Sequence, residues 1–385
     1  MRVLIAGGGT GGHIYPALAV ATSLRRRAGA PEIAWIGGRR GLEDRLVADA
    51  GYPLRRLLLR SLRSVERDIH LVLDPVRLAL SVPQALLLLA RWRPAAIFTT
   101  GGYLAIPVLI AARLLRIPVV LWEGNVVPGR SVRATARLAT VVAVSFEATC
   151  AALAARSCYV TGTPIRDTAA VDRLAARDRF GLGPDDRLML IFGGSQAVQR
   201  FTAAIDAALP RLVERCRVLQ VTGDAAYAEA LAARERLPVS LRERYRPEPF
   251  LREGMLDALA AADLVVGRAG SSTLAEVTAF GLPMIVVPYR YAGGHQRANA
   301  EALAAAGAAR LVEDEAFDAA ALLDAAALLD DPQAHARMSA AARGLGRPGA
   351  ADAVADLVLA LATRSPLPSP EAIARRSVGA AGAAG

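Results

Sequence analysis

The 385-residue chain contains no lysine: every one of its 46 basic residues is arginine. Schiff-base catalysis and a Walker-type phosphate-binding lysine both need that amine, so both are excluded. Histidine is scarce, at four residues, and there are three cysteines, Cys150, Cys158 and Cys216. The cysteines show no paired metal-ligand spacing and an odd count suits a disulfide framework poorly, so all three are expected as buried thiols in a reducing compartment. No Asp-x-Asp occurs, and Glu313-Asp314-Glu315 reads as a solvated loop, so no metal site is expected. The N-terminal apolar run gives way to glycine after a few residues, which is too short for a secretory signal and points to the cytoplasm. Long hydrophobic runs are also missing. Pro94 to Ala112 is free of charge but is broken by Thr99 to Tyr103 and by Pro107. Leu78 to Ala90 is short and contains Pro83, so neither stretch crosses about 30 Å of hydrocarbon as one helix.

What the chain does contain is a globular balance, 54% hydrophobic and 21% charged, with a net charge of +10. That length exceeds one ordinary core and predicts two domains. The basic excess suits anionic lipid, nucleic acid or nucleotide phosphate, and motifs must choose among them. Apolar runs at Val3 to Ala6, Ile33 to Ile36, Ala96 to Thr99, Val119 to Trp122 and Val141 to Val144 are each followed by a helix-like stretch. The same alternation restarts at Leu188 to Phe192 and continues through Val218 to Thr222, Leu264 to Val266 and Ile285 to Val287. Strand-helix alternation of this kind predicts an α/β protein with two Rossmann-like parallel-sheet domains. Proline and glycine clusters place the boundary: residues 1–163 form the first domain, 164–186 a linker and 187–363 the second. Residues 364–385, rich in Ser, Pro, Ala and Gly, are expected to lack structure.

Three glycine-bearing turns carry the chemistry. Gly7-Gly8-Gly9-Thr10-Gly11-Gly12-His13 follows the first strand, where glycines allow close backbone approach and a helix N-terminus offers N–H groups to negative charge. A dinucleotide-binding domain would carry an acidic residue at the end of its second strand, but that strand ends Gly37-Gly38-Arg39, which disfavours NAD. His13, in the first helical turn, has a side chain suited to general-base work near neutral pH. Ile191 to Gln196 repeats the pattern and brings the donors Ser195 and Gln196 to a helix start, although a serine there could simply cap the helix. Gly267-Arg268-Ala269-Gly270-Ser271-Ser272-Thr273-Leu274-Ala275-Glu276 offers hydroxyls to phosphate and a carboxylate to ribose hydroxyls, with a capping box as the structural alternative. His295, Gln296 and Asn299 suit sugar hydroxyls.

In order, GGGTGGHIYP, TTGGYLAIP, PVVLWEGN, TGTPIR, FGGSQ, GRAGSSTLAE and VPYRYAGGHQRANA resemble the motif set of the MurG family of glycosyltransferases, covering residue 5 to about 300. The resemblance implies a GT-B architecture, two domains facing across a cleft, and a metal-independent, cofactor-free transfer. It would be an inverting transfer of N-acetylglucosamine from UDP-GlcNAc to a lipid-linked MurNAc-peptide during peptidoglycan synthesis, and so in cell-wall biogenesis, cell shape and division. By motif, Thr10, Gly11, Gly12, Asn125, Ser195, Gln196, Ser271, Ser272, Thr273, Leu274, Ala275, Glu276 and Gln296 would contact the donor. Arg166 would lie at the nucleotide side, and the Phe250-Leu251 backbone would read the uracil edge. His13 and Glu123 are the two candidates for deprotonating the acceptor hydroxyl. The chain departs from the family pattern at Trp122, Gly124, Ala197, Val132, Thr163 and His295, which bears on the acceptor more than on the donor.

Leu57 to Arg93 mixes leucines with arginines and is expected to dock the protein peripherally on the anionic cytoplasmic face of the cell membrane, with no nucleic-acid partner. Rival readings are a related GT-B transferase with another lipid-linked acceptor, a UDP-sugar epimerase or oxidoreductase, and an inactive membrane scaffold.

Overall fold

The computed structural model describes residues 1–39, 42–60, 70–193, 198–251, 254–290 and 294–379. The chain begins β1 (Arg2–Ala6), α1 (Gly11–Arg25), β2 (Glu32–Arg39), α2 (Glu43–Asp49), β3 (Leu54–Arg60), α3 (His70–Trp92) and β4 (Ala96–Thr99). It continues α4 (Ala105–Leu114), β5 (Val119–Glu123), α5 (Arg130–Thr135), β6 (Val141–Val144), α6 (Glu147–Ala151) and β7 (Cys158–Val160). A second series follows: α7 (Arg173–Arg179), β8 (Leu188–Phe192), α8 (Val198–Arg215), β9 (Arg217–Val221), α9 (Asp224–Arg236), β10 (Tyr245–Glu248), α10 (Met255–Ala261) and β11 (Leu264–Gly267). It is completed by α11 (Ser271–Ala279), β12 (Met284–Val286), α12 (His295–Ala305), β13 (Ala309–Leu311), α13 (Ala319–Ala326) and α14 (Pro332–Leu345), before α15 (Ala350–Thr363) and α16 (Pro370–Val378).

The strands form two sheets, ordered β3-β2-β1-β4-β5-β6-β7 and β10-β9-β8-β11-β12-β13, and every described pairing is parallel. The α/β expectation therefore holds for both halves. Successive strand residues point to opposite faces. In the first sheet Val3, Ile5, Phe98, Val120, Trp122 and Ala143 enter one core, whereas Leu4, Ala6, Ile97, Leu121 and Val144 enter the other. Helices α1 and α15 supply the first core, and α3 and α4 the second. Burying each such Val, Leu or Ile contributes about 1.5–3 kcal/mol, so neither face is stable bare.

The units do not follow the expected linear boundaries. One comprises Met1–Arg166 together with Arg347–Gly385; the other is Asp167–Gly346. Residues 347–363, expected in the second domain, contain the whole of α15, and its Ala353, Val354, Leu357 and Val358 are buried in the core of the first. The segment expected to lack structure contains α16. Its Ser-Pro sequence, which suggested disorder, is a helix start: the Ser369 hydroxyl accepts from Ala372 N and Pro370 occupies the first turn, where its missing N–H costs nothing. Ile373 is buried in the same core, and Tyr159 Oη donates to Pro368 O at 3.2 Å.

Two other expectations are corrected. Cys150 and Cys158 form a disulfide, because the turn from α6 into β7 brings their Cα atoms to 5.9 Å. Only Cys216 is a free, buried thiol, and burial pushes its pKa up to about 12. Pro83 does not interrupt α3, which runs through both Pro75 and Pro83 while packed on α4 and β3. None of the described helices is long and apolar enough to cross a membrane.

Removing residues 365–385 strips Ile373 and its neighbours from the first core. Losing one such side chain from a core costs about 2–5 kcal/mol, so the truncated protein should unfold at a clearly lower urea midpoint. An unchanged midpoint would return this segment to the status of a tail.

Candidate active site

Open parallel sheets bind ligands at the carboxyl ends of the strands, where the strand order changes direction. In the first sheet that point lies between β1 and β4, in the second between β8 and β11. The motif-bearing turns follow these four strands.

At the first switch point, Thr10 is the N-cap residue of α1 and makes no side-chain cap bond, so its exposed hydroxyl is not consumed by the helix. Gly11 and Gly12 open the first turn, where helical N–H groups lack intrahelical partners. His13 is half-buried, and its Nδ1 lies 2.8 Å from Thr100 O at the end of β4. A carbonyl only accepts, so Nδ1 carries the proton and, in the neutral ring, Nε2 holds the lone pair. Burial holds the imidazole below the ordinary value of 6.5, against the opposing pull of the Glu123 carboxylate and the Thr100 carbonyl. Gly102, at φ +74°, passes beneath: a Cβ there would stand 3.3 Å from His13 Nε2. Only glycine adopts that backbone without strain while leaving the nitrogen uncovered.

Glu123, the other candidate base, is 5% exposed and heavily engaged. Its Oε1 accepts from Asn125 N at 2.9 Å and Asn125 Nδ2 at 2.8 Å, and Oε2 accepts from Gly129 N at 2.8 Å. This carboxylate shapes the 124–129 loop, and Asn125 is bound to it. Arg166, half-buried, is the last residue of the unit's first segment.

At the second switch point, α11 begins after Gly270, which takes the N-cap position without any side-chain bond. The capping-box alternative is therefore not realised. The Ser272 hydroxyl is buried without a hydrogen-bond partner among the described residues, while Ser271, Thr273, Ala275 and Glu276 are half-buried. Leu274 departs from the expectation that it contacts donor: its side chain is buried and its N–H goes to Gly270 O at 3.0 Å. Asn299 is likewise internal, fully buried with Nδ2 donating to Ala269 O at 3.2 Å, so it braces the turn. Gln296 Oε1 accepts from Tyr289 N at 2.9 Å, and His295 opens α12. Phe250 is half exposed after β10, next to Leu251. Ser195 and Gln196 lie outside the described residues.

Residues 3–144 match the glycosyltransferase family 28 N-terminal domain, and residues 188–356 match the glycosyltransferase family 28 C-terminal domain. The chain belongs to glycosyltransferase family 28. Within this family it is similar to a Moorella thermoacetica protein named UDP-N-acetylglucosamine–N-acetylmuramyl-(pentapeptide) pyrophosphoryl-undecaprenol N-acetylglucosamine transferase. The two are 38% identical over 369 residues, 93% of this chain and 98% of the relative. The crystal structure of Acinetobacter baumannii MurG aligns with a TM-score of 0.72 at 28% identity, covering 93% of this chain and 99% of that one. These matches make it a MurG-type member. A UDP-GlcNAc 2-epimerase from Neisseria meningitidis, at 13% identity and a TM-score of 0.64 over 92% of this chain and 98% of its own, shares the fold alone.

Three departures of this family 28 transferase from the usual motifs fall on internal supports. Trp122 is buried and its Nε1 donates to Gly162 O at 3.1 Å. Val132 is buried against the backbone of Gly101, and the Thr163 hydroxyl pairs with that of Ser145 at 2.7 Å. Two further charged residues escaped the sequence reading. Arg268 is buried between the rings of Phe201 and Tyr289, at 4.7 and 5.4 Å from their centroids, and pairs with Asp314 at 2.5 Å. Asp314 is thus no solvated loop residue. Its partner in the motif, the arginine of GRAG, was the available signal. The second is Glu43, buried at the start of α2.

His13 gives a direct test by ¹⁵N NMR. Its folded pKa lies below the unfolded value, so the unfolded chain binds the proton more readily and stability falls as pH drops below 6.5. The ring should titrate with a midpoint under 6.5 and carry its proton on Nδ1 at pH 7.5. An Nε2–H tautomer, or a midpoint at or above 6.5, would remove the geometric argument for a base.

Proposed function

We propose that this protein transfers N-acetylglucosamine from UDP-GlcNAc to the C4 hydroxyl of the MurNAc residue in MurNAc-(pentapeptide)-diphospho-undecaprenol, with inversion to a β-1,4 linkage. The observation that carries this reading is the neutral His13, its Nδ1 committed to Thr100 O and its Nε2 lone pair left for a proton. His13 Nε2 takes the hydroxyl proton as the oxygen attacks the anomeric carbon; the bond from that carbon to the diphosphate breaks and UDP departs with the electron pair. Glu123, its oxygens already accepting three N–H groups, acts by holding the Asn125 loop. On the donor side, the first-turn amides of α11 and the hydroxyls of Ser271, Ser272 and Thr273 meet the diphosphate charge, and Glu276 accepts the ribose hydroxyls. Ser195 and Gln196 complete this set, with the backbone at Phe250 and Leu251 reading the base.

The membrane expectation is narrowed by burial. Leu57 and Leu59, expected at the bilayer, are buried on β3, and Leu89 is buried on α3. Arg63 and Arg67 lie outside the described residues. What faces outward is Val76, Leu80 and, at 72% exposure, Leu87 on α3, with Leu114 at the end of α4. Spacings of four and seven residues put the α3 trio on one helical stripe. Arg91, Arg93, Arg113 and Arg116 lie near the ends of the same two helices, each adding about 1 kcal/mol beside an anionic surface. This stripe, on the cytoplasmic face, is the proposed peripheral anchor.

Radiolabel from UDP-GlcNAc should pass to the lipid-linked MurNAc-pentapeptide. His13→Ala should lower kcat by about 10²–10⁴-fold, whereas Glu276→Ala should mainly raise the donor KM. Absence of transfer from wild type would dispose of the activity; equal effects of the two substitutions on both constants would dispose of the roles. Separately, Leu80→Gln with Leu87→Gln should weaken co-sedimentation with vesicles containing phosphatidylglycerol, leaving a salt-sensitive remainder. Undiminished binding would move the anchor elsewhere.

A further inference from the structure

The glycine loop after β1 is built like a phosphate cradle but contains an internal anion. Glu43, the first residue of α2, is 1% exposed. Its Oε2 accepts from Gly9 N at 2.9 Å, and its Oε1 accepts from Gly38 N, near the end of β2, at 2.9 Å. The glycines on either side leave room for it. A Cβ at Gly8 would lie 2.7 Å from Oε1, one at Gly37 would lie 2.9 Å from Glu43 Cγ, and one at Gly38 would lie 3.4 Å from Oε1. Close backbone approach, which glycine provides to a nucleotide in dinucleotide-binding domains, is here used by the protein's own carboxylate. The opposite holds after β11, where the Ser272 hydroxyl is buried and unpartnered among the described residues.

We propose that Glu43 is a positioning residue that occupies the anion seat of the first glycine loop from inside, fixing the loop that leads into His13 and keeping nucleotide phosphate off the Gly9 and Gly38 amides. The catalytic consequence rests on the transferase reading above; the occupancy of the seat does not. A charged acceptor bridging Gly9 and Gly38 satisfies a half-buried and a buried N–H group at once, and charge-assisted bonds of this kind are the stronger class. With the seat filled, the Gly9 and Gly38 amides are already spent on Glu43, whereas the turn after β11 keeps its hydroxyls for a diphosphate.

The test uses the full-length protein with Glu43→Ala and Glu43→Gln. In Glu43→Ala, kcat should fall by roughly 10- to 10²-fold, as a small misplacement of a reacting group does, while the donor KM stays within about twofold, the split expected when positioning rather than donor binding is lost. Sodium formate, a carboxylate small enough for the vacated space, should restore kcat saturably. Inorganic pyrophosphate, titrated calorimetrically into UDP-saturated protein, should find one additional site in Glu43→Ala and none in wild type. Gly8→Ala, whose methyl presses on Oε1, should slow the wild type but cost nothing further in the Glu43→Ala background. Glu43→Gln keeps the volume but turns an NH₂ group on one of the two donors, so it should lose kcat without rescue by formate, and it serves if the alanine variant does not fold. Unchanged kcat in both variants, additive effects with Gly8→Ala, or a loss that formate does not touch in a folded alanine variant would overturn the proposal. If wild type transfers no sugar, the transferase reading fails, and the pyrophosphate titration still decides the occupancy of the seat.

Discussion

Both units answer to one constraint: a parallel sheet exposes two apolar faces and tolerates neither in water. The alternation of Val3 and Ile5 with Leu4 and Ala6 loads both sides of the first sheet, so helices must return over each face after every strand. Such crossovers put every strand-to-helix turn at the same end of the sheet. Where the winding reverses, between β1 and β4 or between β8 and β11, two neighbouring turns diverge and leave a gap. The contact of His13 with Thr100 O spans this point in the first sheet, so the placement of the imidazole follows from the covering of the sheet.

The same turn geometry is put to two electrostatic uses. After β1 the Gly9 amide, with that of Gly38 from β2, closes on a buried carboxylate, and the nearby imidazole is driven neutral by burial. After β11 a buried guanidinium, held between two rings and paired with Asp314, underlies a turn whose hydroxyls are not engaged in capping. One loop is held by a carboxylate and leads to an uncharged imidazole; the other keeps hydroxyls not engaged in capping above a braced base. Asn299 and Leu274 belong to that bracing, which is why side chains that look suited to ligand in a motif turn out to hold the motif in shape.

How much of this could be read from sequence depended on position within the sheets. All nine runs identified as strands coincide with strands, and the four that went unrecognised, β3, β7, β10 and β13, are the four sheet edges. Interior strands are buried on both faces and stay apolar throughout. Edge strands need not be: β3 reads LRRLLLR, β10 contains a proline, and β7 and β13 are three residues long. The placement of His13 at the switch point was legible because it directly follows the glycine loop after the first strand. Glu43 was not, because the search for an acid stopped at the end of β2, and the carboxylate that reaches the loop comes from the next helix. Cys150 and Cys158 were misread because parity says nothing about which two thiols a turn brings together.

The unit that begins the chain is also the one that ends it. Val3, Ile5, Phe98, Val120 and Trp122 share a core with Leu357, Val358 and Ile373, while Asp167–Gly346 forms the other unit between the two segments. During synthesis on the ribosome the inserted unit is therefore complete before the first one has its last helices, reversing the usual order in which N-terminal domains mature first. Nascent chains must carry one sheet face covered only in part, by α1, until α15 emerges. A message cut short anywhere upstream yields a product with its apolar face open, marked for the chaperones and proteases that survey such surfaces.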